Sequence, residues 1–283
     1  MTARMLGTER AGHGVVIREN GLILTIGYLV TEAETIWIVD IHGRAIEGHA
    51  LAYDQETGFA LVQALGSLNL PAMPLGSAKD LKEGDSAILA GHGGRSQAIK
   101  TQVQAKREFA GYWEYLLDEA IFTAPPHPSW GGAGLIGEDG SLRGIGSLFV
   151  QQVVPDKGQI DGNMIVPIDI LKPIMDDLLT YGKVQKPPRP WLGMMTTEME
   201  DVLVVAGLVE DGPAEEADVR VGDFVLGVNG RPVEELAGMF RNIWSTGEAG
   251  VEIPLTLQRD GELIDITVKS VSRAARLKSP RMH

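Results

Sequence analysis

Residues 12–30 read GHGVVIRENGLILTIGYLV. Two β-type runs, Val15–Ile17 and Leu22–Thr25, flank Glu19-Asn20-Gly21. Asn-Gly supplies the positive φ a tight hairpin needs, so this stretch predicts two antiparallel strands. The pattern repeats downstream. Thr35–Val39 runs into Asp40-Ile41-His42-Gly43, and Phe59–Val62 and Ser86–Ala90 follow, with a turn at Glu83-Gly84-Asp85. Short strands at this spacing, without long helices between them, predict antiparallel barrels or sandwiches.

Composition agrees. The 283 residues hold 35 Gly and 15 Pro, many turns for a chain with 44% hydrophobic and 22% charged residues. The length suits two domains. A net charge of −13 argues against nucleic acid or an anionic membrane as partner of the whole body. No apolar run approaches the ~20 residues of a membrane span. With no cysteine, disulfides, thiolate metal sites and a cysteine nucleophile are excluded. Residues 1–14, MTARMLGTERAGHG, lack the apolar stretch of a secretory leader, so a cytoplasmic location is expected, or a periplasmic one if a leader has been removed.

The middle of the chain changes character. Trp113–Ala120 (WEYLLDEA) reads as a short helix or as a strand entering a loop. Ala124–Gly132 (APPHPSWGG) is too rich in proline and glycine for regular structure. Ile168–Tyr181 has apolar residues at helical spacing and closes on Gly182. Lys183–Pro190 (KVQKPPRP) reads as a semi-rigid linker. Strands are expected at Asp201–Ala206 and Phe224–Val228, and a helix at Val233–Trp244, where Leu236, Met239, Phe240 and Ile243 share one face. Ile253–Gln258 and Leu263–Val268 close the unit around Arg259-Asp260-Gly261-Glu262. The organisation expected is 1–182, linker 183–189, 190–272, and a basic tail 273–283 carrying Arg273, Arg276, Lys278 and Arg281 and read as solvated.

Six boxes in order resemble the HtrA family of trypsin-like proteases with a C-terminal PDZ domain. They are Gly12–Ile17, Leu24–Val30, Asp54–Val62, Leu70–Gly76, Ser129–Gly134 and Asn163–Ile168. The resemblance implies a mainly β fold, a double six-stranded β-barrel followed by an α+β PDZ domain. It also implies where a catalytic triad would stand. The base position is Tyr28, the orienting position Gly58, and the nucleophile position Trp130 or Gly131, according to which feature is aligned. None of these offers an imidazole, a carboxylate or a nucleophile. Pro128, two before Trp130, has no N–H for an oxyanion hole. The expectation is therefore a protein that is not an enzyme, a pseudoprotease serving as a scaffold or accessory subunit. The alternatives are a serine endopeptidase rebuilt on Ser129, with His127 two residues away, or a metal-binding barrel using His92 and His127.

The second unit resembles an HtrA-type PDZ domain through Pro190-Trp191-Leu192-Gly193-Met194, the carboxylate-binding loop, and through Asp211–Ala214 and Val221–Gly230. Asp218 stands where the family has glycine. The implied partner is a peptide laid along a sheet edge and touching Trp191, Leu192, Gly193, Met194, Met239 and Phe240. No cofactor is implied. The barrels are compatible with a homo-oligomer or a place in a larger complex.

Overall fold

The computed structural model describes residues 7, 9–154, 158–200 and 202–277. The chain forms two compact units: one from 2–108 and 118–185, the other from 109–117 and 186–277.

The first unit begins with a five-stranded antiparallel sheet of β1 (Val15–Arg18), β2 (Leu22–Ile26), β3 (Ile36–Val39), β4 (Ala45–Tyr53) and β5 (Phe59–Ala64), in the order β1-β2-β5-β4-β3. Gly21, at φ +82°, makes the β1–β2 turn. Every residue of β2 is buried, which is why LILTI reads as a continuous run and not an alternation. The expected first barrel of six strands is corrected here. Among the described residues this sheet has five strands; the segment after β5 carries Pro71 and Pro74, which lack donors, and makes one backbone bond to β1, Met73 N–H to the Val16 carbonyl at 2.8 Å.

The second sheet does close. β6 (Ser86–Ala90), β7 (Ala98–Gly111), β8 (Tyr115–Ala124), β9 (Gly134–Ile136), β10 (Leu142–Val154) and β11 (Gly158–Pro167) run β10-β11-β8-β7-β6-β9 around a barrel. Its interior is packed by Leu89, Val103, Ile121, Leu135 and Ile165. Closure leaves no free strand edge. The stretch from Trp113 is thus resolved as strand from Tyr115 onward. The helix expected over Ile168–Tyr181 is α-helical only as α1 (Met175–Tyr181); two 3-10 turns precede it, with Pro173 inside the second. Gly182 ends it in the left-handed conformation.

The other unit is a sheet ordered β12-β13-β14-β16-β17, from β12 (Met194–Met199), β13 (Val202–Leu208), β14 (Phe224–Val228), β16 (Glu252–Arg259) and β17 (Glu262–Lys269), with β15 (Arg231–Pro232) beside β14. A short helix α2 (Pro213–Glu216) and α3 (Leu236–Trp244) pack on it. The apolar face of α3, namely Leu236, Met239, Phe240 and Ile243, is buried in the core. Asp218 adopts φ +66°, the conformation a glycine would take, and its carboxylate pairs with Arg220 and Arg259. An aspartate that bonds locally tolerates this region, so the turn survives the substitution. Below it Asp223, 1% exposed, takes two bonds from Arg259, at 2.7 and 2.8 Å. Of the basic tail, Arg273–Arg276 form a 3-10 turn; Arg273 is half-buried and donates to the Trp113 carbonyl at 3.0 Å, while Ala274, Ala275 and Arg276 are exposed. Lys278 and Arg281 lie outside the described residues.

Candidate functional site

The barrel cleft is built where β2 ends. A 3-10 turn, Gly27–Leu29, presents Tyr28. Gly27 donates to the Gly58 carbonyl at 2.7 Å, and Gly58, at φ +79°, lies in the turn before β5. A Cβ on Gly131 would stand 2.6 Å from Tyr28 Oη. The residues read from the sequence as triad positions therefore converge as Tyr28, Gly58 and Gly131. Trp130 borders the same point, its side chain hydrogen-bonded to Tyr28. Tyr28 Oη donates to the Ser147 carbonyl at 2.8 Å. Burial pushes its pKa up to about 12, with the Trp130 bond opposing. This phenol is a structural donor. Asp54, at the start of the same turn, spends its carboxylate on the Thr57 N–H and hydroxyl, both at 2.8 Å.

The loop before Gly131 is fixed by His127, which is 1% exposed. Its N–H donates to Asn163 Oδ1 at 2.7 Å. The Ser129 N–H donates to His127 Nδ1 at 3.0 Å, which makes Nδ1 the acceptor; Nε2 therefore carries the proton and donates to the Gln97 carbonyl at 2.8 Å. The imidazole thus holds the Ser129 backbone, and the expected His127–Ser129 side-chain pair is not made. The same bond takes up the N–H two residues before Gly131, which an oxyanion hole would need free. Gly132 is required as glycine: φ is +81°, and a Cβ would meet the His13 carbonyl oxygen at 1.9 Å.

His92 and His127 do not form a metal site. The His92 ring bonds the Asp40 carbonyl at 3.0 Å, while His127 bonds Gln97. His13 lies between their segments, accepting the His92 N–H at Nδ1 (3.0 Å) and meeting the His127 ring edge-on at 5.9 Å. Burial, then the neighbouring His127, holds the His13 pKa below its usual value. Among the described residues no group of three or more His, Cys, Asp or Glu is arranged to hold a metal.

In the other unit, the loop before β12 turns three consecutive amides inward. Leu192, Gly193 and Met194 donate to Glu114 Oε1 at 3.2, 2.8 and 3.2 Å, and Leu192 also reaches Oε2 at 3.2 Å. Gly193, at φ +73°, allows the three N–H groups to converge. Trp191 bridges Val271 in both directions, at 3.0 and 3.1 Å, and anchors the loop. The six residues expected to meet a peptide do gather at this place, but they are covered. Leu192, Met239 and Phe240 are 0% exposed, and Ala110 and Leu116 pack on their cluster. Sequence reasoning missed Glu114 altogether. Its one signal was a charged residue in the Tyr112–Glu114 turn between two strands.

The comparisons bear on both places. A profile for the trypsin-like peptidase domain matches residues 12–145, and one for the PDZ domain matches 190–270. Across 94% of the chain there is 29% identity to a probable periplasmic serine endoprotease DegP-like protein of Pseudomonas putida. The periplasmic serine endoprotease DegP of Escherichia coli shares 24% over 91% of the chain.

In both domains and in their order, the chain is similar to HtrA-type serine proteases.

It spans 56–57% of the length of these curated relatives. The solved HtrA-type protease AlgW with decapeptide is similar in fold at 22% identity (TM-score 0.56, 95% of this chain and 83% of that one). So is the serine endoprotease from Yersinia pestis at 24% (TM-score 0.53, 93% and 89%). Two expectations are corrected. The reading of a non-enzyme is overturned by relatives of the same two-domain order that are named serine endoproteases. The cytoplasmic location is overturned by relatives named periplasmic.

Proposed function

We propose that this HtrA-like protein binds extended, carboxylate-bearing peptides through its PDZ unit, in the periplasm. The observation that carries the reading is the set of three amides, Leu192, Gly193 and Met194, converging on a carboxylate at 2.8–3.2 Å. Backbone donors fixed by a turn recognise a carboxylate of any sequence, and the edge of β12 beside them supplies strand pairing. The peptide named with AlgW is consistent with this use of the fold. The test is amide NMR during titration with peptides ending in a free carboxylate or in an amide. Shifts should map to Leu192, Gly193, Met194 and Thr196 and require the free carboxylate. A map elsewhere, or equal response to both ends, refutes the reading.

A second reading is favoured by the names of the relatives: serine endopeptidase activity with Ser129 as nucleophile. Ser129 is exposed and stands two residues before Gly131 at the cleft. Activation requires a base for its hydroxyl, and His127 Nδ1 serves once the Ser129 N–H releases it. Casein turnover and fluorophosphonate labelling, both abolished in Ser129→Ala, support this reading. No turnover, or turnover that persists in the variant, rejects it.

A further inference from the structure

Glu114 sits at the tip of the β7–β8 hairpin, in the three-residue connection Tyr112-Trp113-Glu114. Its φ is +59°. A three-residue hairpin loop places glycine at this left-handed position, because a side chain there costs energy. The sequence puts a long, charged side chain there and then buries it to 8% exposure. Both choices are unfavourable by themselves. They are offset together only if the carboxylate is wanted where it lies, on the three amides of Leu192, Gly193 and Met194.

The rest of the tip behaves as a bound strand does. β12 pairs with β13 along one edge. On its other edge the Thr196 N–H donates to the Tyr112 carbonyl at 3.1 Å. This is the backbone bond an added strand makes. Ala110 and Leu116 cover the apolar cluster that includes Met194, Met239 and Phe240. Trp113 stacks on Tyr115, with ring centres 5.7 Å apart, and its carbonyl accepts from Arg273. Carboxylate in the amide loop, main-chain pairing on β12 and apolar groups over the groove are the three contacts of a peptide ligand. All come from one internal segment.

We infer that the hairpin tip Tyr112–Glu114 is a built-in occupant of the peptide site, which an external carboxylate-ended strand must displace before it binds. This rests on the peptide-binding reading above and names the regulation of that site. The site is then a switch between a cis ligand and a trans ligand. What frees the groove also frees a segment continuous with barrel strands β7 and β8. Burial raises the Glu114 pKa to about 7, against the three amide bonds and the Arg273 charge, which lower it.

The test uses the full chain and a fluorescein-labelled hexapeptide with its own sequence, Phe-Ala-Gly-Tyr-Trp-Glu, with a free carboxylate end. Glu114→Ala removes the carboxylate. Glu114→Gly removes it while relieving the positive φ, so it keeps a folded control if the alanine variant does not fold. Hydrogen exchange at Leu192, Gly193, Met194 and Thr196 is read in parallel. Affinity is reduced by the fraction of molecules with the groove free, so both variants should bind the peptide about tenfold or more tighter than wild type. Their four amides should exchange faster. Equal affinity in wild type and Glu114→Gly overturns the inference. If no form binds the peptide, the peptide-binding reading fails, and exchange alone decides the cis contact: faster exchange in Glu114→Gly upholds the occupant and unchanged exchange overturns it.

Discussion

The barrel cleft and the amide loop are both places where the HtrA pattern puts function, and they have been treated in opposite ways. In the cleft, side chains changed while the backbone stayed. Tyr28, Gly58 and Gly131 still meet, but the phenol bonds a backbone carbonyl and the nearby imidazole bonds a backbone amide. In the PDZ unit the binding atoms are main-chain N–H groups, which among substitutions only proline removes. What changed there is the occupant, a carboxylate from the chain itself. A site made of side chains is legible or illegible residue by residue. A site made of backbone persists as long as the turn that shapes it.

The sharpest way to break the comparison is at Gly132. If the cleft backbone is held by close approach, Gly132→Ala collides with the His13 carbonyl and adopts φ +81° under strain. The expected loss is about 3 kcal/mol or more, read by denaturant unfolding. A loss below about 1 kcal/mol would mean the loop can shift and the cleft is not rigid. Next in size is Tyr28→Phe. It leaves the Ser147 carbonyl without its donor in a buried place, at an expected cost of about 1–3 kcal/mol in chemical denaturation. Any casein turnover should be unchanged in rate and in pH profile, because Tyr28 is not the base. A turnover that vanishes with the hydroxyl would return Tyr28 to the chemistry.

Taken over one pH unit, the smallest effect concerns pH and the hairpin. Docked, Glu114 has a pKa raised from 4.5 to about 7, with burial the largest cause. The docked form therefore holds its proton more tightly than the released form. Docking is strongest below the ordinary carboxylate pKa of 4.5, is lost as pH rises through about 7, and is flat above it. Between pH 6 and 7 the docked-to-free ratio should fall by up to about tenfold. The Gly193 amide shift reads this ratio, and Glu114→Gly should show no such dependence. A docked fraction that rises with pH would show that the amides and Arg273 outweigh burial.

Much of the fold was legible. The turn at Gly21, the buried run of β2 and the helical face of α3 follow from alternation, periodicity and the φ that glycine allows. The first barrel was overcounted because its six strands came from the family resemblance and not from the residues, and the described first sheet has five. Local signals also could not say that Trp113–Glu114 belongs to a hairpin tip and not to a helix, since WEYLLDEA has no turn residue. Tyr28, Gly58 and Gly131, the positions that the resemblance marks for a triad, lie near one another in the fold. The nucleophile position was split between Trp130 and Gly131, and the structure shows both against Tyr28, with Gly131 presenting its backbone.

The sequence by itself determined many of the strands and turns and the loop at Trp191–Met194, because these follow from patterns within a few residues of one another; it did not show that 109–117 belong with the C-terminal unit. It could not determine what fills that loop. Glu114 and Gly193 are 79 positions apart, and no periodicity joins them. Their meeting depends on a strained left-handed residue, a strand bond from Thr196 to Tyr112 and a desolvated carboxylate, and each is a property of the folded chain that no stretch of sequence contains alone.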